Sequence, residues 1–431
     1  MIYTDRSRYE TGLDRCPRLR YLQYHAGPNG YGIRKARRSM PLLVGGLVHD
    51  ALAAVLFHVK QSDELPKEEV IRQAIQGCAD SYRKEVETFG LQQVETIDQA
   101  VQEQVIQEQI ALLKGLVWSW CIEVLPEIHS RYKVVDVERE ELLELDDDIA
   151  VQGRSDWIGE LRESPGTYGW HEFKTASMFH PVWEAEWETK LQFALGVIAA
   201  EKRYGCEFHE HYVHGLAKGR RSKPRDGGPK YQDSPYCWAW VKPGNPPLEP
   251  DRWEPEFRWE DEFGKIHTLG RGFQRRQTYL YPDAPEGWDP VEYWVRQLPD
   301  RVRRNRLKLI GPLNRQRVMI ESLQRQVLGE ERKWQTILME LYTVAEQCGA
   351  NYWTHPDFQA ALDWYVPQSW SCLRYGSEHG CEMIPVCFRE PGWEDPLNNG
   401  YTFRKPHHEP ELEQMRERGL EPEMGWGDED E

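Results

Sequence analysis

The feature that most constrains this chain is a switch from helix-like to strand-like periodicity. Residues 132–145 and 148–161 alternate apolar and polar side chains on either side of an Asp-rich turn, and residues 168–174 form a third strand-like run. An amphipathic, helix-like segment follows over residues 181–203. This order predicts an α/β fold, in which helices flank a small mixed sheet.

The stretch from Gln152 to Tyr204 carries the candidate chemistry. It places Asp156, and then Glu172-Phe173-Lys174, at the ends of two strand-like runs. Residues two apart on a strand point the same way, so Glu172 and Lys174 share a face while Phe173 points to the core. Two carboxylates and an ammonium at one edge of a sheet are typical of a metal-dependent hydrolase. By itself an E-x-K triplet is common and also fits two exposed strand charges.

Helical patterns precede this region. Residues 8–27 predict a helix that begins near Pro17 and points its N-terminus toward Cys16. Residues 41–57 predict an apolar helix containing His49, which as a lone histidine fits a buried core residue. Residues 67–124 predict long amphipathic helices.

The remaining segments complete the predicted division of the chain into parts. Strands are predicted at 210–216 and 236–241, and helices over 291–348, including the basic run 301–309. The 431 residues are enough for two or three domains, or for one elaborated domain. The predicted parts are a helical N-terminal part (1–130), a catalytic core (131–241), a loop-rich and helical insertion (242–348), a cysteine segment (349–406) and a disordered acidic tail (407–431).

Composition narrows the class of protein. The net charge of −17 argues against non-specific coating of nucleic acid, but it leaves room for a local basic groove. The 18 tryptophans fit either core packing or platforms for bases, with Trp183, Trp187, Trp238 and Trp240 as candidates. The N-terminus lacks a signal-peptide pattern and no membrane span is expected, so we expect a cytoplasmic protein with nine reduced cysteines.

Phosphodiester cleavage would use the carboxylates and the lysine in distinct ways. Hard cations such as Mg²⁺ or Mn²⁺ take carboxylate oxygens as ligands and make water nucleophilic at neutral pH. Asp156 and Glu172 suit that role, and Lys174 can orient the water or stabilise developing negative charge.

The chain resembles the PD-(D/E)XK nuclease superfamily, particularly its RecB-like branch, which includes CRISPR adaptation exonucleases and many phage nucleases. An ordered set of short motifs carries the resemblance over most of residues 10–205. These are C-P-R-L-R-Y-L-Q-Y at Cys16–Tyr24, G-G-L-V-H at Gly45–His49, G-R-S-D-W-I at Gly153–Ile158, E-F-K-T at Glu172–Thr175, and Gln192.

The resemblance implies a PD-(D/E)XK core and a metal site. It makes His49 a ligand beside Asp156 and Glu172, completes the shell with the backbone carbonyl of Phe173, and gives Gln192 a role in arranging the site or the DNA. One departure is Gly196, near where such proteins often carry a tyrosine, which leaves Tyr204 as a substitute candidate.

Four cysteines fit a second inorganic site. Cys372, Cys381 and Cys387 lie close together in sequence, and Cys16 lies near the other end of the chain. Four thiolates are what a [4Fe–4S] cluster requires. The resemblance implies such a cluster, clamping the two ends of the nuclease fold together, although the Cys372–Cys381 gap is wider than the usual C-x-x-C. Zinc held by Cys372, His379, Cys381 and Cys387, or four unliganded buried thiols, are the alternatives.

The leading functional hypothesis is a DNA exonuclease acting on single-stranded ends or flaps, in recombination, repair, phage DNA metabolism or CRISPR adaptation. The alternatives are a catalytically silent DNA-end-binding subunit and a structure-specific endonuclease. A helicase, a recombination protein or a CRISPR integrase would be its partner. The residues expected to contact phosphates are Arg34, Lys35, Arg37, Arg38, Lys218, Arg220, Arg221 and Lys223.

Overall fold

A six-stranded mixed sheet forms the centre of the molecule, as seen in a computed structural model. The model describes residues 2–27, 30–37, 39–90, 99–177, 179–187, 191–208, 210–218, 236–241, 258–260, 266–268, 274–279, 285–297, 304, 306–313, 317–369, 372, 381–404 and 409–417. The strands run in the order β1 (Ile2–Asp5), β4 (Ile149–Leu161), β5 (Tyr168–Ala176), β6 (Glu210–Ala217) and β11 (Leu307–Ile310). Strand β3 (Tyr132–Glu144) pairs with the other edge of β4. The predicted α/β class with helices around a small mixed sheet is confirmed.

The β3–β4 hairpin lies where the alternation predicts it. Its turn is closed by Asp146, whose carboxylate accepts hydrogen bonds from the backbone N–H groups of Asp148 and Ile149. Such Asx hydrogen bonds favour a tight reversal of the chain. Strand β5 then runs antiparallel to β4 and parallel to β6.

Helices cover one face of the sheet. They are α3 (Met40–Ser62), α4 (Glu68–Phe89), α5 (Gln99–Glu123) and α6 (Leu125–Arg131). Pro41 occupies the first turn of α3, where its missing N–H costs no hydrogen bond. The apolar stripe of α3 packs with Trp118, Trp120 and Phe173 in the largest core cluster of the molecule.

By length and composition alone, helix α3 is also apolar enough to span a membrane, although no membrane span was expected. Of its most apolar 18-residue stretch, 56% is buried inside the molecule. Such burial is what a core helix of a soluble protein shows, and it is explained by the packing of α3 on the sheet. The cytoplasmic location remains a prediction.

The opposite face of the sheet is covered by α7 (Pro181–Glu186) and α8 (Leu191–Tyr204). Trp170 of β5 is fully buried there, beside Val197 and Ala200 of α8. Trp187 belongs to the same cluster and is buried, so its core role is supported over base stacking. Trp183 is partly buried, with its ring close above Gly215.

A second lobe joins the beginning and the end of the chain. It contains α1 (Arg6–Glu10), a π-helical turn (Thr11–Arg15), α2 (Pro17–Tyr24), β2 (Ile33–Lys35), α10 (Arg317–Cys348), α11 (Pro356–Tyr365), α12 (Ile384–Cys387) and β12 (Tyr401–Phe403). Helix α2 begins at Pro17, as predicted. Arg20 of α2 pairs with Glu331 of α10 at 2.6 Å, and both side chains are almost fully buried. Removing one partner of such a pair leaves a buried charge, which makes the contact a strong tie between distant segments.

Two predictions about the later part of the chain need correction. Residues 307–310 form strand β11 against β6 rather than a helix face, because backbone pairing at the sheet edge overrides the local helical pattern. The strand predicted at 236–241 is present as β7 (Tyr236–Val241), which pairs with β10 (Gln274–Tyr279) in a separate two-stranded sheet. Another two-stranded sheet joins β8 (Arg258–Glu260) and β9 (Ile266–Thr268), and α9 (Pro290–Gln297) packs on α5.

The second correction concerns the acidic tail. Residues 409–417, expected to be disordered, form helix α13 (Glu409–Glu417). Its Glu411 is buried and accepts two hydrogen bonds from the Arg8 guanidinium, at 2.9 and 3.0 Å. Because Arg8 lies 403 residues from Glu411, the local composition of the tail gives no sign of this pairing. The polar, acidic sequence therefore suggested disorder.

Candidate active site at the fork between two strands

The candidate site lies where β4 changes its neighbour. Residues 149–152 of β4 pair with β1, and residues 157–160 of the same edge pair with β5. Between these two pairings the strands diverge, and Asp156 stands at the opening. The end of β5 that carries Glu172 and Lys174 borders the same opening, so a local split of the sheet brings the three predicted catalytic residues together.

Asp156 closes the fork through its side chain. Its carboxylate accepts a short hydrogen bond from the Phe173 N–H, which would face β4 in an uninterrupted ladder. The carboxyl is almost fully buried, and burial disfavours its charged form. The nearby His49 and Lys174 and the hydrogen bond from the Phe173 N–H outweigh this effect, so the pKa of Asp156 lies below its usual range. Asp156 is therefore an anion fixed at the base of the opening.

Glu172 is an equally buried carboxylate with two hydrogen-bond donors. Trp170 Nε1 donates to its Oε1 at 2.9 Å, and Lys174 Nζ donates to its Oε2 at 2.9 Å. Burial raises the pKa of Glu172 to about 7, with Lys174 opposing and Asp156 reinforcing the rise. Burial and the Asp156 anion therefore favour a proton on Glu172, and a bound cation would take the place of that proton.

His49 reaches the same opening from α3. Its Nδ1 lies 3.4 Å from Asp156 Oδ1, and its ring meets Phe173 edge-on with centroids 5.9 Å apart. His49 is thus a residue of the site and not an isolated core histidine. The prediction that places it beside Asp156 and Phe173 agrees with the geometry; its role as a ligand stays a prediction.

Glu138 belongs to the site and was missed in the sequence. It lies across the hairpin from Asp156, and Arg154 Nε approaches its Oε2 at 2.9 Å. Burial, and then Asp156, raise the pKa of Glu138 to about 8, with Arg154 opposing. Its φ of 48° lies in the left-handed region, which is unusual for a non-glycine residue and which concentrates at functional sites. The pairing of β3 with β4, counted outward from the turn at Asp146, would have identified Glu138 from the sequence.

Gln192 lies in the first turn of α8, and the surroundings of its side chain fall outside the described part of the chain. Tyr204, the substitute candidate, donates to Asp136 Oδ2 at 2.5 Å and contacts Arg203. Gly196 is explained by packing. A Cβ there would lie 2.7 Å from the Trp170 ring, and a Cβ at Gly153 would lie 2.8 Å from Gly196 Cα. Helix α8 therefore approaches the sheet too closely for a larger residue.

The predicted phosphate-binding residues fall into different places. Lys218 lies at the end of β6, beside Thr175 of β5. Arg34 and Lys35 lie in β2 of the second lobe, where Lys35 Nζ is 4.1 Å from the centre of the Tyr401 ring. Arg37 is exposed. Arg38, Arg220, Arg221 and Lys223 lie outside the described residues.

All four cysteines predicted for a cluster line one cavity in the second lobe. The cavity is open to solvent on one side, and its other walls are mainly apolar. Its lining residues are Arg15, Cys16, Leu19, Leu22, Ser369, Cys372, Cys381, Met383, Ile384 and Cys387. Cys16 and Cys372 therefore meet at one site although they lie far apart in sequence, as the family resemblance implied.

Backbone donors approach the sulfur atoms of this cavity. The Ser369 N–H donates to Cys16 Sγ at 3.3 Å, and the Met383 N–H interacts with the Cys381 sulfur. Burial raises the pKa of the Cys387 thiol to about 12, while Arg18 opposes the rise. Thiolates are the form that iron or zinc binds, and metal binding itself drives their deprotonation. The donor set, the N–H groups and the apolar walls fit a four-thiolate centre. His379, needed for the zinc alternative, lies outside the described residues.

A bound cation at the fork would also be compatible with the residues present. Within the described chain, no three His, Cys, Asp or Glu side chains are already gathered as a metal-binding group. Lys174 and the Phe173 N–H hold the carboxylate oxygens instead. Three buried carboxyls, at Asp156, Glu172 and Glu138, are the observation that fits a divalent cation, which would displace the protons that burial favours on Glu172 and Glu138.

Comparison with models of known protein families gave no match, and comparison with curated proteins gave none either. The assignment of a function to this site therefore rests on its geometry and chemistry.

Proposed function

We propose that this protein is a metal-dependent nuclease of the PD-(D/E)XK type that hydrolyses phosphodiester bonds in DNA. The observation that supports the proposal is the convergence of Asp156, Glu172, Lys174 and His49 on the opening between β4 and β5. Two buried carboxylates, an imidazole and an ammonium are the groups that such hydrolysis needs, and structural ion pairs seldom combine all of them.

Each residue at the opening has a distinct role in the proposed hydrolysis. Asp156, Glu172, His49 and the backbone carbonyl of Phe173 would hold the cation, which supplies a nucleophilic water and neutralises charge on the phosphate. Lys174, positioned by Glu172, stabilises the negative charge that develops on the phosphate oxygens or orients the attacking water. Trp170 fixes the second oxygen of Glu172, so that the carboxylate presents one orientation to the opening.

The expected substrate is single-stranded DNA with free ends. The test incubates the purified protein with Mn²⁺ and end-labelled single strands. Asp156→Asn and Lys174→Ala should each abolish product while the folded structure is retained. Asp148→Asn, an exposed acid in the turn of the same hairpin, serves as the matched control and should cut like the wild type.

The outcomes separate the alternatives. DNA retained without any product from the wild type would support an end-binding subunit instead. Equal cutting of circular and linear single strands would support an endonuclease, and a preference for RNA would change the substrate class. Full activity in Asp156→Asn would refute the assigned site. Recombination, helicase and CRISPR partners remain predictions.

We further propose that Cys16, Cys372, Cys381 and Cys387 hold a [4Fe–4S] cluster that ties the second lobe together. The four thiols line one cavity, and backbone N–H groups approach two of the sulfurs, as is common around iron–sulfur centres. Zinc is the alternative occupant.

Purification without oxygen should give a brown protein with iron and inorganic sulfide in equal amounts. Cys387→Ser should lose the colour and melt at a lower temperature. Cys206→Ser, a cysteine packed in a different cluster, should keep both properties. A colourless wild type containing zinc and no iron would contradict the iron–sulfur assignment.

A further inference from the structure

Lys218 carries a second ammonium at the edge of the sheet, on the α3 side. Its Nζ donates to the Pro41 carbonyl at 2.5 Å and to Thr175 Oγ1 at 3.0 Å. Its backbone N–H donates to the Ala176 carbonyl at 2.8 Å, which continues the pairing of β6 with β5 by one residue. The ammonium therefore lies between the first turn of α3 and the end of the strand that carries Glu172 and Lys174.

Among the described residues, no Asp or Glu forms an ion pair with Lys218, in contrast to Lys174, which pairs with Glu172. Burial lowers the pKa of Lys218 to about 8. Within that part of the chain the partly buried ammonium bonds to a carbonyl and a hydroxyl, which compensate its charge incompletely, so an anion at this position would stabilise it.

Gly45 is what allows the ammonium to approach α3. A Cβ at this position would lie 2.7 Å from Thr175 Oγ1 and 3.0 Å from Lys218 Nζ, both closer than ordinary contacts. Gly45 precedes His49 by four residues, one turn of α3, or about 6 Å along its axis. The same helix face therefore meets Lys218 and Thr175 at one level and Asp156 and Phe173 at the next.

We propose that Lys218 binds a phosphodiester next to the one that is cleaved, and so forms an anion subsite at the end of β5 and β6. This inference rests on the proposed function for the identity of the ligand, a DNA strand. The levels of Lys218 and His49 differ by about 6 Å along α3, so a single DNA strand that reaches the fork can place a neighbouring phosphate at Lys218. Lys174 acts at the reacting phosphate, and Lys218 holds the adjacent one in register.

The test measures binding in the absence of cleavage. Fluorescence anisotropy of a labelled oligothymidylate is recorded in EDTA over a range of salt concentrations, for the wild type and for Lys218→Met. Loss of one phosphate contact should reduce the slope of log K against log salt by about 0.7 and weaken binding on the order of tenfold at low salt. Lys333→Met removes an exposed lysine on α10 and should change neither quantity.

A second variant separates a folding defect from a binding defect. Lys218→Arg keeps the positive charge and should keep the wild-type salt slope, whereas Lys218→Gln should behave like Lys218→Met. Melting curves by circular dichroism identify any variant that fails to fold, and Thr175→Val, which leaves the ammonium in place, should retain the slope.

Kinetics with Mn²⁺ supply a further readout. Lys218→Met should raise KM with little change in kcat, because the contact is made equally in the ground state and the transition state. An unchanged slope and affinity in folded Lys218→Met would overturn the subsite, even if the wild type cuts DNA. Failure of the wild type to bind DNA at low salt would also overturn it. A reduced slope in a protein that cuts no DNA would uphold the subsite and reject the nuclease.

Discussion

Glu138 lies directly opposite Asp156 across the β3–β4 hairpin, since Val137 pairs with Trp157 and Arg139 pairs with Ser155. The pair brings a third carboxylate to the opening between β4 and β5, beside Asp156 and Glu172. Glu138 adopts a left-handed backbone there, a conformation that costs about 1–2 kcal/mol for a residue with a Cβ. Such strain is retained where a side chain must point in one direction, here toward the other carboxylates.

Replacing Glu138 by glutamine should weaken cation binding. The number of negative charges around a divalent cation sets its affinity, so we expect a Kd for Mn²⁺ about tenfold higher. Isothermal titration calorimetry measures the change. Glu163→Gln, an exposed acid in the turn between β4 and β5, is the matched control. Equal Mn²⁺ affinities in Glu138→Gln and wild type would show that Glu138 does not contribute to the site.

Substituting Gly196 tests the close packing of α8. Gly196→Ala places a methyl group within 2.7 Å of the buried Trp170 ring, so we expect a loss of about 1–3 kcal/mol in the free energy of unfolding. Trp170 also positions Glu172, so the proposed nuclease activity should fall together with stability. Gly77→Ala, in the open middle of α4, should instead stabilise the protein by up to about 1 kcal/mol. Urea denaturation compares the two, and a neutral Gly196→Ala would contradict the packing.

His25 should make the second lobe sensitive to acid. Burial, and then the charges of Arg8 and Arg20, lower the pKa of His25 well below its ordinary value. The unfolded chain takes up a proton near pH 6.5 and the folded one does not, so the stabilising effect is complete above pH 6.5 and is lost as the pH falls below it. The expected loss is about 1.4 kcal/mol per pH unit.

Removing the imidazole tests the origin of this slope. His25→Gln should flatten the dependence of the unfolding free energy on pH between about 6.5 and 5 by that amount. Identical slopes for wild type and His25→Gln would assign the acid sensitivity to other groups, such as the buried His171 and His214.

Truncation tests the role of helix α13. A chain ending at residue 406 loses Glu411 and leaves the buried Arg8 without its carboxylate, which should cost about 3–5 kcal/mol. A chain ending at residue 417 keeps the helix and should be as stable as the full chain. Thermal melting of both truncated chains gives the answer, and equal melting temperatures would show that the Arg8–Glu411 pair adds no stability.

The parts of the fold that local patterns encode were predictable. Alternation identified β3, β4 and β5, and with them Asp156, Glu172 and Lys174. The strands at the edges, β1 and β11, were not recognised, because four-residue strands carry little periodicity and form through pairing with distant segments. The meeting of Cys16 with Cys372, Cys381 and Cys387 was implied by the family resemblance and not by any local pattern.

The features that escaped prediction depend on register and on long-range charge pairs. In the sequence, Glu138 is one of several acidic residues in its strand. Its position opposite Asp156 becomes apparent only when β3 and β4 are aligned. Glu331 reads as a charge on a long amphipathic helix, yet it is buried against Arg20 and Thr4, more than 300 residues away. Gly196 stands near a position where the resemblance led us to expect a tyrosine. The space above the Trp170 ring, however, admits no side chain. In each case a contact between remote segments decides the role of the residue.

The pairings of Arg20 with Glu331 and of Arg8 with Glu411 have a consequence for how the protein is made. The segment that is synthesised first, residues 2–20, cannot complete its contacts until the ribosome has added residues 331–411. During translation β1 can pair with β4 once residue 152 has been made, but two buried arginines still have no partner. We therefore expect the nascent chain to remain accessible to chaperones and proteases until synthesis has passed residue 411, so that a prematurely terminated product is degraded.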